Sequence, residues 1–276
     1  MNKGKVIIAG AGPGDPDLLT IRAAKYLQQA DVVLTDRLVS DEILKKYISV
    51  NAEIIFVGKQ CRRGHSTPQE FINHLLVMHA NNGKLVVRLK GGDVSLFANI
   101  LDELTVLESN GIPFEIIPGV TAASGAAAYA AIPLTARGLS TAVRLLTYYK
   151  SDIVDDNYWK ELAQTNDTLV FYMSAETLPD LVYQLTCNGI DPEKLMAIVQ
   201  QATTPCQHVQ VISLYDFDAN KNNKLVSPTL VIIGKVVNLH QRFKWVENNN
   251  AGKYYFAPLT GKIKKQAVIL EDVIVS

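Results

Sequence analysis

Short aliphatic and β-branched runs alternate along the chain with longer stretches whose apolar positions recur at helical spacing. In the first half the runs are 6–9, 32–35, 54–57, 85–89 and 114–117, and the helical stretches are 17–29, 41–47, 66–80 and 96–109. This βαβα order predicts an α/β fold with a parallel sheet. Ser66, Thr67, Pro68, Gln69 and Glu70 introduce the third helix, where they offer a capping box with proline near the first turn. After Pro118 and Gly119 comes an alanine-rich stretch, 122–131, followed by further strand patterns at 143–147, 168–172, 195–199, 209–214 and 230–233. Two α/β domains are therefore predicted, 1–117 and 118–240, with a tail over 241–276. The tail passes through Asn248, Asn249, Asn250, Ala251 and Gly252, too polar for a core, and has no assigned role.

Charge narrows the partners. The 27 basic and 27 acidic residues cancel and are scattered, so no basic stripe of the kind that binds nucleic acid is present. An anionic ligand must be met locally. No apolar run approaches the ~20 residues of a membrane span, and the first residues run directly into a short apolar strand, so a soluble, unprocessed protein is expected. Cys61, Cys187 and Cys206 are odd in number and far apart, without CxxC or Cys/His spacing. Free thiols in the reducing cytoplasm, and no metal site, are the expectation.

Two glycine turns stand at predicted strand ends. The first, GAGPGD at 10–15, follows the strand at 6–9, and glycine there lets a ligand approach the backbone closely. A dinucleotide fold would look similar, with Asp36 at the end of the next strand placed to take a ribose hydroxyl. Against that, Asp15 replaces the third glycine of GxGxxG, and Pro13 interrupts the N–H donors that would hold a pyrophosphate. The second turn is Lys90, Gly91, Gly92 and Asp93, after the strand at 85–89. Either alone reads as a tight βα connection; the pair suggests one shared pocket.

Taken together, GAGPGDPDLLT (10–20), DRLVS (36–40), VGK (57–59), GHSTPQ (64–69) and RLKGGD (88–93) resemble the tetrapyrrole methyltransferases. IPGVTA (117–122), IPLTARG (132–138), LVFYM (169–173), TTP (203–205) and SPTLVIIG (227–234) continue the resemblance, in order, to the uroporphyrinogen-III C-methyltransferases of that family. It covers about residues 4–240. The resemblance implies two α/β domains with the active-site cleft between them, a homodimer, and S-adenosylmethionine as methyl donor. On the matching positions, donor contacts fall at Pro13, Gly91, Gly92, Asp93, Leu96, Thr121, Ala122, Met173 and Ala202. Met173 by itself reads as ordinary strand packing, and His65 as a cap or surface group.

The same resemblance makes Asp36 a general base and Lys59 a proton donor. A carboxylate can remove the proton lost after an electron-rich pyrrole carbon takes a methyl group. It can equally hold a pyrrole N–H and stabilise the positive charge developing on the ring, or merely form an exposed ion pair with an arginine. A substrate rich in carboxylates needs forked donors; of Arg37, Arg62, Arg63, Arg137 and Arg144, Arg137 is preferred. The implied reaction is a two-step methylation of uroporphyrinogen III to precorrin-2, which serves sirohaem or cobalamin synthesis, with separate proteins completing the pathway. Methylation of a later corrinoid precursor, or a non-catalytic subunit binding donor or tetrapyrrole, are the alternatives.

The chain departs from its relatives after the GGD turn. Where they often have a proline, an aromatic and a glycine-arginine-glycine run, residues 94–103 read VSLFANILDE, so the loop is expected to enter its helix sooner and lacks that arginine. Ser174 and Ala202 stand where glycine is common and add only small side chains. Tyr148, Tyr149 and Lys150 replace a glycine-histidine pair.

Overall fold

A computed structural model describes residues 3–60, 65–148, 155–220, 225–249 and 253–256, with only the backbone at 59, 60, 65 and 66. Within them the chain forms two compact units, one running up to Thr121 and joined by Phe256, the other Ala122–Tyr255.

The first unit runs β1 (Lys5–Gly10), α1 (Ile21–Gln29), β2 (Val32–Thr35), α2 (Asp41–Tyr47), β3 (Glu53–Phe56), β4 (Lys59–Gln60), β5 (His65–Ser66), α3 (Gln69–Asn81), β6 (Leu85–Lys90), α4 (Leu101–Ser109) and β7 (Phe114–Ile117). Its main sheet has the order β3-β2-β6-β1-β7, and every pairing is parallel. Helices cover both faces. Ile7, Ala9, Val87 and Leu89 pack on Ala23 and Leu27 of α1 and Ile43 of α2, while Val6, Ile8, Val86 and Leu34 pack on Ile72 and Leu76 of α3 and Leu107 of α4. Strands buried on both faces account for the mainly apolar runs seen in the sequence.

The helix starts correct the sequence reading in three places. The stretch 17–29 is a 3-10 turn at Pro16–Leu18, capped by Asp15 through the Asp17 N–H (2.8 Å), and then α1, capped by Thr20. Two capping side chains nucleate two short helices where one was expected. The capping box at 66–70 does not form: α3 begins at Gln69 after Pro68, without a side-chain cap. Thr67 Oγ1 instead accepts the Gly58 N–H at 3.3 Å. The loop after the GGD turn enters α4 later than expected, at Leu101, because Phe97 (φ 54°) and Asn99 (φ 46°) take left-handed backbone conformations that no helix accommodates.

His79, on the buried face of α3, has no partner for Nε2 among the described residues, and its Nδ1 lies 3.4 Å from Lys84 Nζ. Burial, with the Lys84 charge, holds its pKa below the ordinary 6.5, the Glu53 charge opposing. The neutral ring is the native form, so its contribution is complete above pH 6.5 and is lost as pH falls through the depressed native value. Urea unfolding from pH 7.5 to 5 should show stability declining below pH 6.5, with a shallower decline in His79→Gln. Equal slopes in the two proteins would remove His79 as the cause.

The second unit runs α5 (Ala122–Tyr129), β8 (Val143–Thr147), α6 (Asp156–Gln164), β9 (Thr168–Tyr172), α7 (Leu178–Cys187), β10 (Leu195–Gln200), β11 (His208–Ser213), β12 (Thr229–Gly234) and α8 (His240–Phe243). The sheet order is β11-β10-β12-β9-β8; β8 and β9 are parallel and the other pairings antiparallel. Trp159 and Leu162 of α6 and Leu181 and Leu185 of α7 cover one face. Ala123 and Ala126 of α5, with Val236 and Val237, cover the other. Part of the segment set apart as a tail belongs to this unit. Asn248 exchanges two hydrogen bonds with the backbone of Val209 on edge strand β11 (Val209 N–H to Oδ1, 2.7 Å; Nδ2 to Val209 O, 2.8 Å), and Trp245 Nε1 donates to Ala128 O at 2.9 Å. Asparagine is too polar for a core, yet its amide copies a strand's donor and acceptor and so satisfies an open sheet edge.

Candidate active site

In the first unit the candidate residues gather at the carboxyl ends of the parallel strands, where open α/β sheets hold their ligands. β1, β6 and β7 end in glycine-containing turns that touch backbone to backbone. Gly12 N–H donates to Gly92 O (3.1 Å) and Gly92 N–H to Gly12 O (2.7 Å). A Cβ on Gly10 would lie 2.6 Å from Gly92 O, and one on Gly119 would lie 2.3 Å from the same oxygen. These glycines are required by close approach. Gly119→Ala is accordingly expected to cost about 1–3 kcal/mol of unfolding free energy by overpacking, read from urea denaturation; an unchanged midpoint would mean that the junction relaxes freely.

Asp93 ties two of these turns together. Its carboxylate accepts from the Gly119 N–H (2.8 Å), the Ser95 N–H (2.8 Å) and the Ser95 hydroxyl. Burial pushes its pKa up, but the Ser95 hydroxyl, the Gly119 N–H and the Ser95 N–H outweigh it and hold the carboxyl below its ordinary value. Asp93 is thus an ionised brace for the turn that carries Gly91 and Gly92. Leu96, half-buried, follows in the irregular loop, and Pro13 and Thr121, both half-buried, lie in the turns after β1 and β7.

Asp36 follows β2 directly. Half-buried, it accepts the Leu38 N–H at 3.0 Å, and Gly91 packs against the same loop so closely that a Cβ there would lie 2.7 Å from Leu38 Cβ. Removal from water pushes the Asp36 carboxyl upward, against the Arg88 charge, the Leu38 N–H, the Lys90 charge and the Gly91 N–H. Lys59 is placed only by its backbone, in the short pair with β5 (Lys59 opposite Ser66) just after β3, whose end lies beside the end of β2. Its side chain lies outside the described residues, as do Arg62, Arg63, Tyr149 and Lys150 entirely.

The second unit collects its candidates on one sheet edge as well. β9 and β10 both run antiparallel to β12, so Met173 and Ala202, which follow them, emerge on the same side. Met173 is 52% exposed with φ 55°, and Ala202 lies between Gln201 (φ 47°) and Thr203 (φ 65°). Non-glycine residues in this region are sparsely populated and must be held by their surroundings. Here the Gln201 N–H donates to Pro228 O (2.8 Å), the Thr203 N–H to Gln207 Oε1 (2.8 Å), and the Thr204 hydroxyl to Gln201 O (2.7 Å). Ala122 opens α5, and the next N–H, of Ala123, donates to Tyr172 Oη at 3.0 Å, joining that helix to the end of β9. Glycine at Met173 or Gln201 would have been the ready sequence signal for such a turn, and its absence hid the strain.

Arg137 is exposed in a turn bounded by Ala136 and Ser140. Arg144, by contrast, is already committed to Asp167 (2.6 Å) and Glu161 (2.7 Å). The sequence reading missed Glu103, which is fully buried on α4 and pairs with both Arg88 and Lys90. The signal was present: two cations at alternate positions of a strand buried on both faces need a buried counter-charge. Among the described residues no group of metal-ligating side chains forms, and no helix is long and apolar enough to cross a membrane.

Residues 5–218 match the family model for tetrapyrrole (corrin/porphyrin) methylases. The siroheme synthase of Thioalkalivibrio sulfidiphilus is 46% identical over 88% of this chain, and that of Pseudomonas paraeruginosa 46% identical over 91%. The chain spans about half the length of these curated relatives, 50% and 54% respectively. Among solved structures, the uroporphyrin-III C-methyltransferase of Thermus thermophilus is similar at TM-score 0.73 and 34% identity, covering 88% of this chain and 98% of that one. A structure of that enzyme complexed with S-adenosyl homocysteine is similar at TM-score 0.71, covering 86% of this chain and 100% of that one. A cobalt precorrin-4 methyltransferase is similar at TM-score 0.75 and 29% identity, covering 84% of this chain and 95% of that one. A family match over residues 5–218, with relatives 46% identical over about nine-tenths of the chain, leads to one conclusion: the chain belongs to the tetrapyrrole methylases.

Proposed function

We propose that this chain methylates uroporphyrinogen III twice at ring carbons, with S-adenosylmethionine as donor, to give precorrin-2 for sirohaem synthesis. The observation that carries the reading is Asp36, a half-buried carboxylate anchored at the end of β2 beside the GGD turn. The 34% identical uroporphyrin-III C-methyltransferase supports the substrate, and the siroheme synthases support the pathway. Its complex with S-adenosyl homocysteine supports the donor.

Bound S-adenosylmethionine supplies an electrophilic methyl group on a sulfonium sulfur. Pro13, Gly91, Gly92, Asp93, Leu96 and Thr121 in the first unit, and Ala122, Met173 and Ala202 in the second, are its proposed contacts. The tight glycine turns and the left-handed backbone around Met173 and Ala202 suit a ligand met largely through peptide groups. As the pyrrole carbon gains the methyl and the carbon–sulfur bond breaks, the ring becomes cationic and must lose a proton. Asp36 takes that proton or holds a pyrrole N–H against the developing charge; burial suits both roles, since it raises basicity and strengthens the electrostatic interaction. Lys59 is the proposed proton donor, and Arg137, exposed on its turn, pairs with a substrate carboxylate.

Anaerobic incubation of the purified chain with uroporphyrinogen III and S-adenosylmethionine, followed by mass spectrometry, tests the reading. A tetrapyrrole carrying two added methyl groups is expected. A chain that binds donor yet leaves uroporphyrinogen III unmodified would favour a later corrinoid precursor, the reading supported by the likeness to the cobalt precorrin-4 methyltransferase.

A further inference from the structure

Beneath the strand ends of the first unit lies a group of charges that the proposed reaction does not use directly. Val86, Arg88 and Lys90 alternate along β6 on the face that packs on α4, and the apolar residue expected at the two outer positions is replaced by a cation. Arg88 is 4% and Lys90 6% exposed. Both turn to Glu103, which is fully buried: Arg88 Nε donates to Oε1 at 3.0 Å, and Lys90 Nζ to Oε1 and Oε2 at 3.1 and 3.3 Å. One carboxylate cannot neutralise two cations. Arg88 Nη1 also donates to Leu34 O (3.4 Å), two residues before Asp36 on the neighbouring strand, and both cations act on the Asp36 carboxylate.

We infer that Arg88, Lys90 and Glu103 form a buried charge relay that positions Asp36 and sets its ionisation, with Asp36 the second carboxylate that balances two cations. Asp36 loses hydration at the end of β2, and a carboxyl so placed would retain its proton unless a positive charge stood nearby. Glu103 moderates that charge: it pairs with both cations and leaves about one net positive charge for Asp36. Among the described residues, the charged groups acting on Asp36 are Arg88 and Lys90 on β6; Glu103 on α4 pairs with both of them, and Arg37 is the chain neighbour of Asp36. Glu103 is a positioning residue, and the inference rests on the reading of Asp36 as the group that meets the ring.

The two sides of the relay predict opposite shifts. Lys90→Met removes a cation and should raise the pKa of Asp36 by about one unit, whereas Glu103→Gln removes the competing carboxylate and should lower it by a similar amount. The measurement is a 13C titration of the Asp36 side-chain carboxyl in the full, ligand-free chain, assigned with Asp36→Asn. A merely structural network would leave the Asp36 resonance unmoved or shift it the same way in both variants, and either result overturns the relay. Should Glu103→Gln not fold, the direction of the shift in Lys90→Met decides alone. Opposite shifts in a chain that does not methylate uroporphyrinogen III would uphold the relay and discard the substrate; no shifts in a chain that does methylate it would do the reverse.

Discussion

Asp36→Asn should bind S-adenosylmethionine as the parent chain does and turn over about 10²–10⁴-fold more slowly, the range for loss of a positioned acid–base group. Asparagine keeps an oxygen for the Leu38 N–H, so the loop that Gly91 packs against should hold its shape. What it loses is the charge and the proton affinity. Calorimetric titration of the donor, with single-turnover methylation followed by mass spectrometry, separates the two effects. A variant that turns over at the parent rate would discard Asp36 as the reacting group. In the parent chain the pH dependence carries a matching sign. Burial raises the Asp36 carboxyl above its ordinary 3.8, so activity that needs the ionised form should decline on acidification at a pH above that value, and the variant should lack this decline.

Glu103→Ala should cost about 3–5 kcal/mol of unfolding free energy, the usual penalty for breaking a buried ion pair from one side. Arg88 and Lys90 stay in place, 4% and 6% exposed, with the Glu103 charge gone and little solvent exposure to replace it. For a domain whose total stability is about 5–15 kcal/mol, that loss approaches unfolding at ordinary temperatures. Lys90 should soften it by giving up its proton: burial and the Arg88 charge already hold its pKa below the ordinary 10.5, with Glu103 and Asp36 opposing. The destabilisation should therefore be smaller at pH 9 than at pH 7. Urea midpoints at the two pH values check both the size and the sign, and a change below about 1 kcal/mol at pH 7 would mean that water enters the cluster. Glu103→Gln, which keeps an acceptor for one of the cations, should fall between the parent and alanine.

These two residues show what a linear chain discloses. Asp36 was legible because it stands directly after a β-branched run and inside a motif, and a strand's end places its next side chain at the sheet edge whatever the rest of the fold does. Gly91, Gly92 and Asp93 were legible for the same reason. For Glu103 the two cations on β6 signalled only that a buried counter-charge was needed, not which residue supplied it, because a glutamate in a helix reads as a solvated face until the strand that faces it is known. The strain at Met173, Gln201 and Thr203 was hidden as well: ordinary residues occupy backbone conformations that only the surrounding hydrogen bonds enforce.

The alternation of apolar runs with helical stretches determined the α/β class, the parallel sheet of the first unit and nearly every strand, since strands buried on both faces are built mainly of apolar residues. Motif and spacing determined the family. Tertiary structure alone decided where helices begin, because caps compete: Asp15 and Thr20 split one expected helix, and Thr67 gave its hydroxyl to Gly58. It also decided that Asn248 completes a sheet edge, that Arg144 is committed to an ion-pair network, and that two cations on β6 share one buried carboxylate. Each of these depends on partners distant in the chain, and pairwise electrostatics and hydrogen bonding are settled by distance in space, which local sequence does not carry.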